Sequence, residues 1–251
     1  MMTFRAVLEN VGILRDGLGA LSELVSEGIF VTKDNGLKFS ATDPTMVVLI
    51  DFELRAAVFK EYKAEKETEI AINIDSLLAV LKRVGAEDTV SLDVENETNK
   101  LNITITGKSL RKFTIPLLEI EKGEIPEMNL DFPATVEIST SVFSGGIADA
   151  SIVGDTIILS AKEGSFGMAS EGDTSNMSLL LDKDSEGVVA VKAITEAKSK
   201  FSLDYLKKID RATKLSDTAK IYLGKDYPLK VVFDSPDKVR LSYVLAPRVE
   251  D

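Results

Sequence analysis

The chain has 251 residues, of which 44% are hydrophobic and 28% charged, and a formal net charge of −11. This composition describes an ordinary globular protein with one large core or two medium ones; with no cysteine and no histidine it excludes disulfides, thiolate metal sites and histidine-based catalysis. No apolar run approaches about 18 residues and the start lacks a signal-peptide pattern, so a soluble, cytosolic protein with no membrane partner is expected.

In chain order, Val11, Leu14, Leu18, Leu21 and Val25 recur at helical spacing and predict a first helix. Residues 31–43 read as a strand, a tight turn at Asp34, Asn35 and Gly36, a strand and a second turn. A second helix follows over 74–84 (Ile74, Leu77, Leu78, Leu81, Val84), then strands at 89–94 and 101–106 around a turn at 96–99. Residues 117–133 break the pattern, mixing acids with apolar Ile125, Met128 and Leu130. A loop of that length without periodicity is a linker or a functional segment.

The second half repeats the first. A strand at 136–139 precedes a weaker third helix over 142–152, carried by Phe143, Ile147 and Ala150. Residues 159–173 then restate the strand-turn-strand of 31–43 about 128 residues later. A fourth helix over 203–213 (Leu203, Leu206, Ile209, Thr213) leads to strands at 219–223, 229–233 and 239–245. The coarse pattern is β-α-β-β-β, four times. It predicts an α+β fold of two similar domains with antiparallel sheets, 1–116 and 134–251, joined by a connector at 117–133. Duplicated domains sit in symmetric surroundings, which points to function in an assembly.

Catalytic patterns are absent. Gly17 and Gly19, and Gly145 and Gly146, lie inside helical segments without the strand and lysine of a phosphate loop, so close helix packing is the better reading. The acid pairs Asp51/Glu53, Glu119/Glu121 and Glu171/Asp173 suit solvated faces better than a metal; no cofactor is expected. A carboxylate-based hydrolase is the rival class, and it requires acids converging in one pocket. The exception to the acidic background is the fourth helix, with Lys207, Lys208, Arg211 and Lys214, and with Lys82 and Arg83 ending the second helix. Cations near helix C-termini favour the macrodipole, and the alternative is a face that contacts phosphates non-specifically.

Several segments resemble the proliferating cell nuclear antigen family of sliding clamps. The C-terminal run 241–251, with Leu245, Ala246, Pro247 and Arg248, is similar to the family's closing signature. Residues 43–51, the Ile125-Pro126-Glu127 core of the connector and the loop 226–229 resemble family segments as well, and the likeness spans residues 3–250. The short tail looks archaeal, which implies a cytoplasmic protein; a eukaryotic member would be nuclear.

The resemblance implies a non-enzymatic trimeric ring, with helices lining the interior, sheets outside and duplex DNA encircled. Residues implied to face DNA are Arg15, Lys82 and Arg211, with Arg83, Lys207 and Lys208 as basic neighbours; Gly145, Ala148 and Ile152 fall where the family is often basic. The implied pocket for partner peptides has Met46, Val47 and Leu49 as floor, Ile125, Pro126 and Leu130 as lid, and Pro228, Leu245, Ala246 and Pro247 as wall. Its expected occupants are short motifs of a replicative DNA polymerase, the clamp loader, a flap endonuclease and DNA ligase. Subunits are expected to join through edge strands carrying Arg111 and Phe113 on one side and Ser178 and Leu180 on the other. A specialised clamp, either one subunit of a heterotrimer or a damage-response ring, is the alternative within the family.

Overall fold

The computed structural model describes residues 2–95, 98–121 and 129–248. The first β-α-β-β-β unit is β1 (Met2–Leu8), α1 (Gly12–Ser22), β2 (Glu27–Lys33), β3 (Gly36–Thr42) and β4 (Val48–Arg55). A short β5 (Glu61–Ala64) separates it from the second: β6 (Glu69–Asn73), α2 (Ile74–Leu81), β7 (Thr89–Glu95), β8 (Lys100–Thr106) and β9 (Leu110–Pro116). The third is β10 (Ala134–Ser139), α3 (Thr140–Val153), β11 (Thr156–Lys162), β12 (Ser165–Glu171) and β13 (Asn176–Asp182). After β14 (Val188–Ala193) comes the fourth: β15 (Ala197–Ser202), α4 (Leu203–Ile209), β16 (Thr218–Leu223), β17 (Leu229–Ser235) and β18 (Val239–Leu245). The repeat is as expected, with β5 and β14 as one added strand per half.

The chain forms two compact units. In the first, five strands run in the order β5-β1-β7-β8-β9, and β2 lies between β3 and β6. In the second, β14-β10-β16-β17 repeats the order of β5-β1-β7-β8, while β13-β12-β11-β15 forms the other sheet. These pairings are antiparallel, as the turn signals require. The second unit also takes in the segment Thr45–Leu49 and the chain end from Ser242.

Each unit buries one helical stripe against alternating strand residues. Leu14, Leu18 and Leu21 of α1 and Ile74, Leu77, Leu78 and Leu81 of α2 are buried with Val90, Leu92, Leu101 and Ile103 of β7 and β8. Asn73 caps α2 by accepting the Ser76 N–H at 2.8 Å. The second unit repeats this with Phe143, Ile147 and Ala150 of α3 and Leu203, Leu206 and Ile209 of α4.

One expected element is corrected. Residues 203–213 form not a single α-helix but α4 to Ile209 and a 3₁₀ segment, Asp210–Leu215. The Thr213 hydroxyl donates to the Asp210 carbonyl at 2.6 Å, and the Ser144 hydroxyl of α3 donates to the Asp210 carboxylate at 2.5 Å. These bonds favour a tighter turn at Asp210, which keeps Ala212 and Leu215 buried.

The helical glycines divide into two kinds. A Cβ on Gly17 would sit 2.7 Å from the Phe52 ring and one on Gly146 2.4 Å from the Met168 sulfur, whereas Gly19 and Gly145 have open space. Packing against the sheet therefore accounts for one glycine of each pair. Gly145→Ala is expected to stabilise the second unit by about 0.5–1 kcal/mol through helix propensity, and Gly17→Val to destabilise the first by about 1–3 kcal/mol through overpacking. Denaturant melts of both variants check this, and equal midpoints would contradict it.

Candidate functional site

The first candidate surface is backbone. β6 and β15 end their sheets, but their edges are covered: Leu118 N–H donates to Ala71 C=O (2.8 Å), Asp226 N–H to Lys198 C=O (3.1 Å) and Arg248 N–H to Lys200 C=O (2.7 Å). β5 is four residues long and charged, with Lys63 2.7 Å from Glu61 and holding its carboxyl below the usual range. β14 carries Lys192 and faces a register shift at Glu137 and Ile138. Short, charged or irregular edges resist further pairing. β9 and β13 are seven residues long with unbroken register, and β9 does carry charge, in Arg111 and Lys112. They share one exposure pattern, and Leu110 and Leu180 stand 63% and 66% exposed.

The interface residues expected from the sequence lie on these edges. Phe113 is half-buried, and Ser178 and Leu180 are exposed. Arg111 instead turns inward, pairing with the Asp88 carboxylate and donating from Nη1 to the Arg83 carbonyl at 2.9 Å. It ties β9 to the end of α2.

The second surface is made of cations on the helices. Lys82, Arg83, Lys207 and Arg211 are exposed, and Arg15 and Lys208 are half-buried. Lys82 caps the C-terminus of α2, and Lys207 and Lys208 close α4, so the macrodipole reading holds for these three whatever else they do. The Lys208 ammonium lies 5.2 Å from the Tyr205 ring centre, and Arg15 is 3.7 Å from Asp16. The outward face of α3 carries Ser141, Gly145, Ala148, Asp149 and Ile152, with no cation.

The third surface belongs to the second unit. Ala246 N–H donates to Val47 C=O at 3.0 Å, which brings the 45–49 segment and the chain end together. Met46 is 74% exposed, Ala246 is exposed, and Val47, Leu49, Leu130, Pro228 and Pro247 are half-buried. Leu245 is 1% exposed, so its side chain packs in the core in this structure. Ile125 and Pro126 lie outside the described residues.

Two loops here hold non-glycine residues at positive φ, Met46 at 59° and Asp226 at 48°, and such strain collects at functional sites. The sequence reading missed Tyr205. Its hydroxyl is 2.6 Å from the Thr45 hydroxyl, anchoring the loop beside Met46. An aromatic facing outward on a basic helix was the available signal.

Of the acid pairs, Asp51 and Glu53 serve local structure. Asp51 accepts from the Ser40 hydroxyl at 2.5 Å and Glu53 from Asn35 at 3.1 Å. Among the described residues no three acids gather to hold a metal ion, and no helix is long and apolar enough to cross a membrane.

Residues 2–125 match the family model for the N-terminal domain of proliferating cell nuclear antigen, and residues 124–248 that for its C-terminal domain. The chain is 34% identical to a DNA polymerase sliding clamp of Thermococcus fumicolans and 33% to that of Pyrococcus furiosus, each over the full length of both proteins. It superposes on the proliferating cell nuclear antigen of Thermococcus kodakaraensis with a TM-score of 0.91 at 27% identity, over 98% of this chain and 100% of that one. The PCNA2–PCNA3 complex of Sulfolobus tokodaii gives 0.88 at 28%, with the same coverage. Two domain matches and full-length likeness settle the classification: the chain belongs to the proliferating cell nuclear antigen family.

The inward turn of Arg111 has a measurable consequence. Arg111→Ala leaves the Asp88 carboxylate, 13% exposed, without its cation and is expected to cost the first unit about 1–3 kcal/mol. Chemical denaturation of the variant checks it, and an unchanged midpoint would contradict it.

Proposed function

We propose that three copies of this chain join head to tail, β9 of one to β13 of the next, and close a ring around duplex DNA. The chain works as a DNA sliding clamp. It does no chemistry: it tethers a polymerase topologically, turning repeated diffusive encounters into a high effective concentration at the template. The observation that carries this reading is the pair of regular edge strands β9 and β13 with matching exposure. Their charges favour the union, since β9 and its approach carry Lys108 and Lys112 while Asp173, Asp182 and Asp184 outnumber Lys183 at the ends of β13. Edges complementary within one sequence make the ring a homomer, and the number three follows the trimeric form that the family resemblance implies. The domains are 1–116 and 134–251, with 117–133 as connector, in a cytoplasmic archaeal protein.

In the proposed ring Arg15, Lys82, Arg83, Lys207, Lys208 and Arg211 face the DNA, so α1, the C-terminal end of α2, and α4 with the 3₁₀ segment after it carry the phosphate contacts and α3 contributes none. Such contacts are non-specific, as a sliding ring requires. Met46, Val47, Leu49, Leu130, Pro228, Ala246 and Pro247, with Ile125 and Pro126, form the docking site for short peptide motifs of a polymerase, the loader, a flap endonuclease and DNA ligase. Met46 is its most exposed apolar group.

Two experiments test these assignments. Primer extension with a loader, comparing wild type with the triple variant Lys207→Glu, Lys208→Glu, Arg211→Glu, is expected to show lost stimulation that deepens as salt falls. Equal stimulation at both salts would remove the inner-face assignment. Met46→Ala is expected to weaken a Gln-plus-aromatics peptide by about 1–2 kcal/mol in calorimetry while leaving the fold intact; unchanged affinity would remove Met46 from the site.

A further inference from the structure

A groove of about 820 Å³ opens in the second unit beside Pro247. Three segments distant in sequence build it: β15, the turn after β16 and the chain end. Backbone bonds fix all three, from Asp226 N–H to Lys198 C=O and from Arg248 N–H to Lys200 C=O. At its floor the buried Ser199 hydroxyl donates to Gly224 C=O at 3.0 Å and accepts the Tyr227 N–H at 2.9 Å. The frame is therefore held by main chain and a saturated hydroxyl, independently of the side chains at the rim.

Those side chains run against the character of the protein. In a chain of net charge −11, this groove gathers Lys198, Lys200, Lys225 and Arg248 against Glu196 and Asp226. The Arg248 guanidinium leans on Asp155 at 3.2 Å. Lys198 and Lys225 are exposed.

We propose that this groove receives an acidic stretch of a partner peptide, directly contiguous with the apolar plug that docks against Pro247. The inference rests on the peptide-site reading above, because Pro247 is the wall the two surfaces share. Charge complementarity selects the occupant. Glu196 and Asp226 line the groove together with the cations, so a continuous phosphate backbone meets two like charges, whereas a peptide places carboxylates at chosen positions. The groove thus selects among motifs with equal plugs, favouring those with Asp or Glu on the flank that crosses Pro247. Charges at an exposed rim act mainly on association and on choice of partner.

The test is fluorescence anisotropy with three peptides sharing one Gln-plus-aromatics core: neutral flanks, an acidic N-terminal flank and an acidic C-terminal flank. Each is titrated against the full-length chain and its Lys198→Glu, Lys225→Glu variant, at low and high salt. One acidic flank is expected to tighten binding by about three- to tenfold at low salt, with the gain fading at high salt. In the variant that gain vanishes while the neutral peptide binds as before. Lys198→Gln with Lys225→Gln is expected to give an intermediate result. Equal affinity for acidic and neutral peptides, or a gain that survives in the Glu variant, overturns the inference and leaves the apolar site standing. No binding by any of the three overturns the peptide site, and this inference with it. Binding of a single-stranded oligonucleotide that the Glu variant abolishes, with no effect of peptide flank charge, reassigns the groove to nucleic acid.

Discussion

Backbone groups at a sheet edge must be paired, covered or wetted, and the design of this chain follows from how it treats that requirement. Each β-α-β-β-β unit ends in a strand whose outer edge needs an answer. β4 and β18 are largely buried, whereas β9 and β13, at the same place in the repeat, keep alternate residues exposed. Elsewhere edges are closed by loops, by charge or by irregular register. Leaving two edges open on one chain, one bordered by lysines and the other by acids, favours a heterologous union. Heterologous unions either close into rings or run on as filaments.

Charge is divided by surface. The acid excess disfavours nucleic acid over the chain as a whole, while cations sit on α1, just past the end of α2, and on α4 and the 3₁₀ segment after it. The macrodipole explains the placement of Lys82, Lys207 and Lys208 at helix ends without any DNA, so position alone does not discriminate. The α3 face is informative because it departs. A helix bearing Gly145, Ala148 and Ile152 outward presents little but backbone and methyl groups. In the proposed ring, duplex contact falls on the other three helices.

Much of the architecture was legible because the periodicities are strong. Leu14, Leu18 and Leu21 mark one helical face, and Leu101, Ile103 and Ile105 one strand face, with no competing reading. The split of 203–213 into α4 and a 3₁₀ segment was not legible, since it depends on Ser144, 66 residues away in sequence, meeting Asp210. Leu245 had the composition of a pocket wall, but only packing reveals that its side chain is core. Arg111 read as an interface cation, yet its guanidinium is claimed by Asp88. Tyr205 offered only its aromatic character on a basic helix, because its role comes from a hydroxyl meeting Thr45 across 160 residues of sequence. Long-range polar contacts leave no local pattern, so the residues that shape these surfaces were the least readable.

The central claim is that one sequence carries both halves of a closing interface. Sedimentation velocity on the purified chain, without DNA or loader, tests it most directly. The account predicts a single species at three times 27.3 kDa, unchanged on dilution through the micromolar range. A monomer at micromolar concentration, or a series growing without limit, would contradict it.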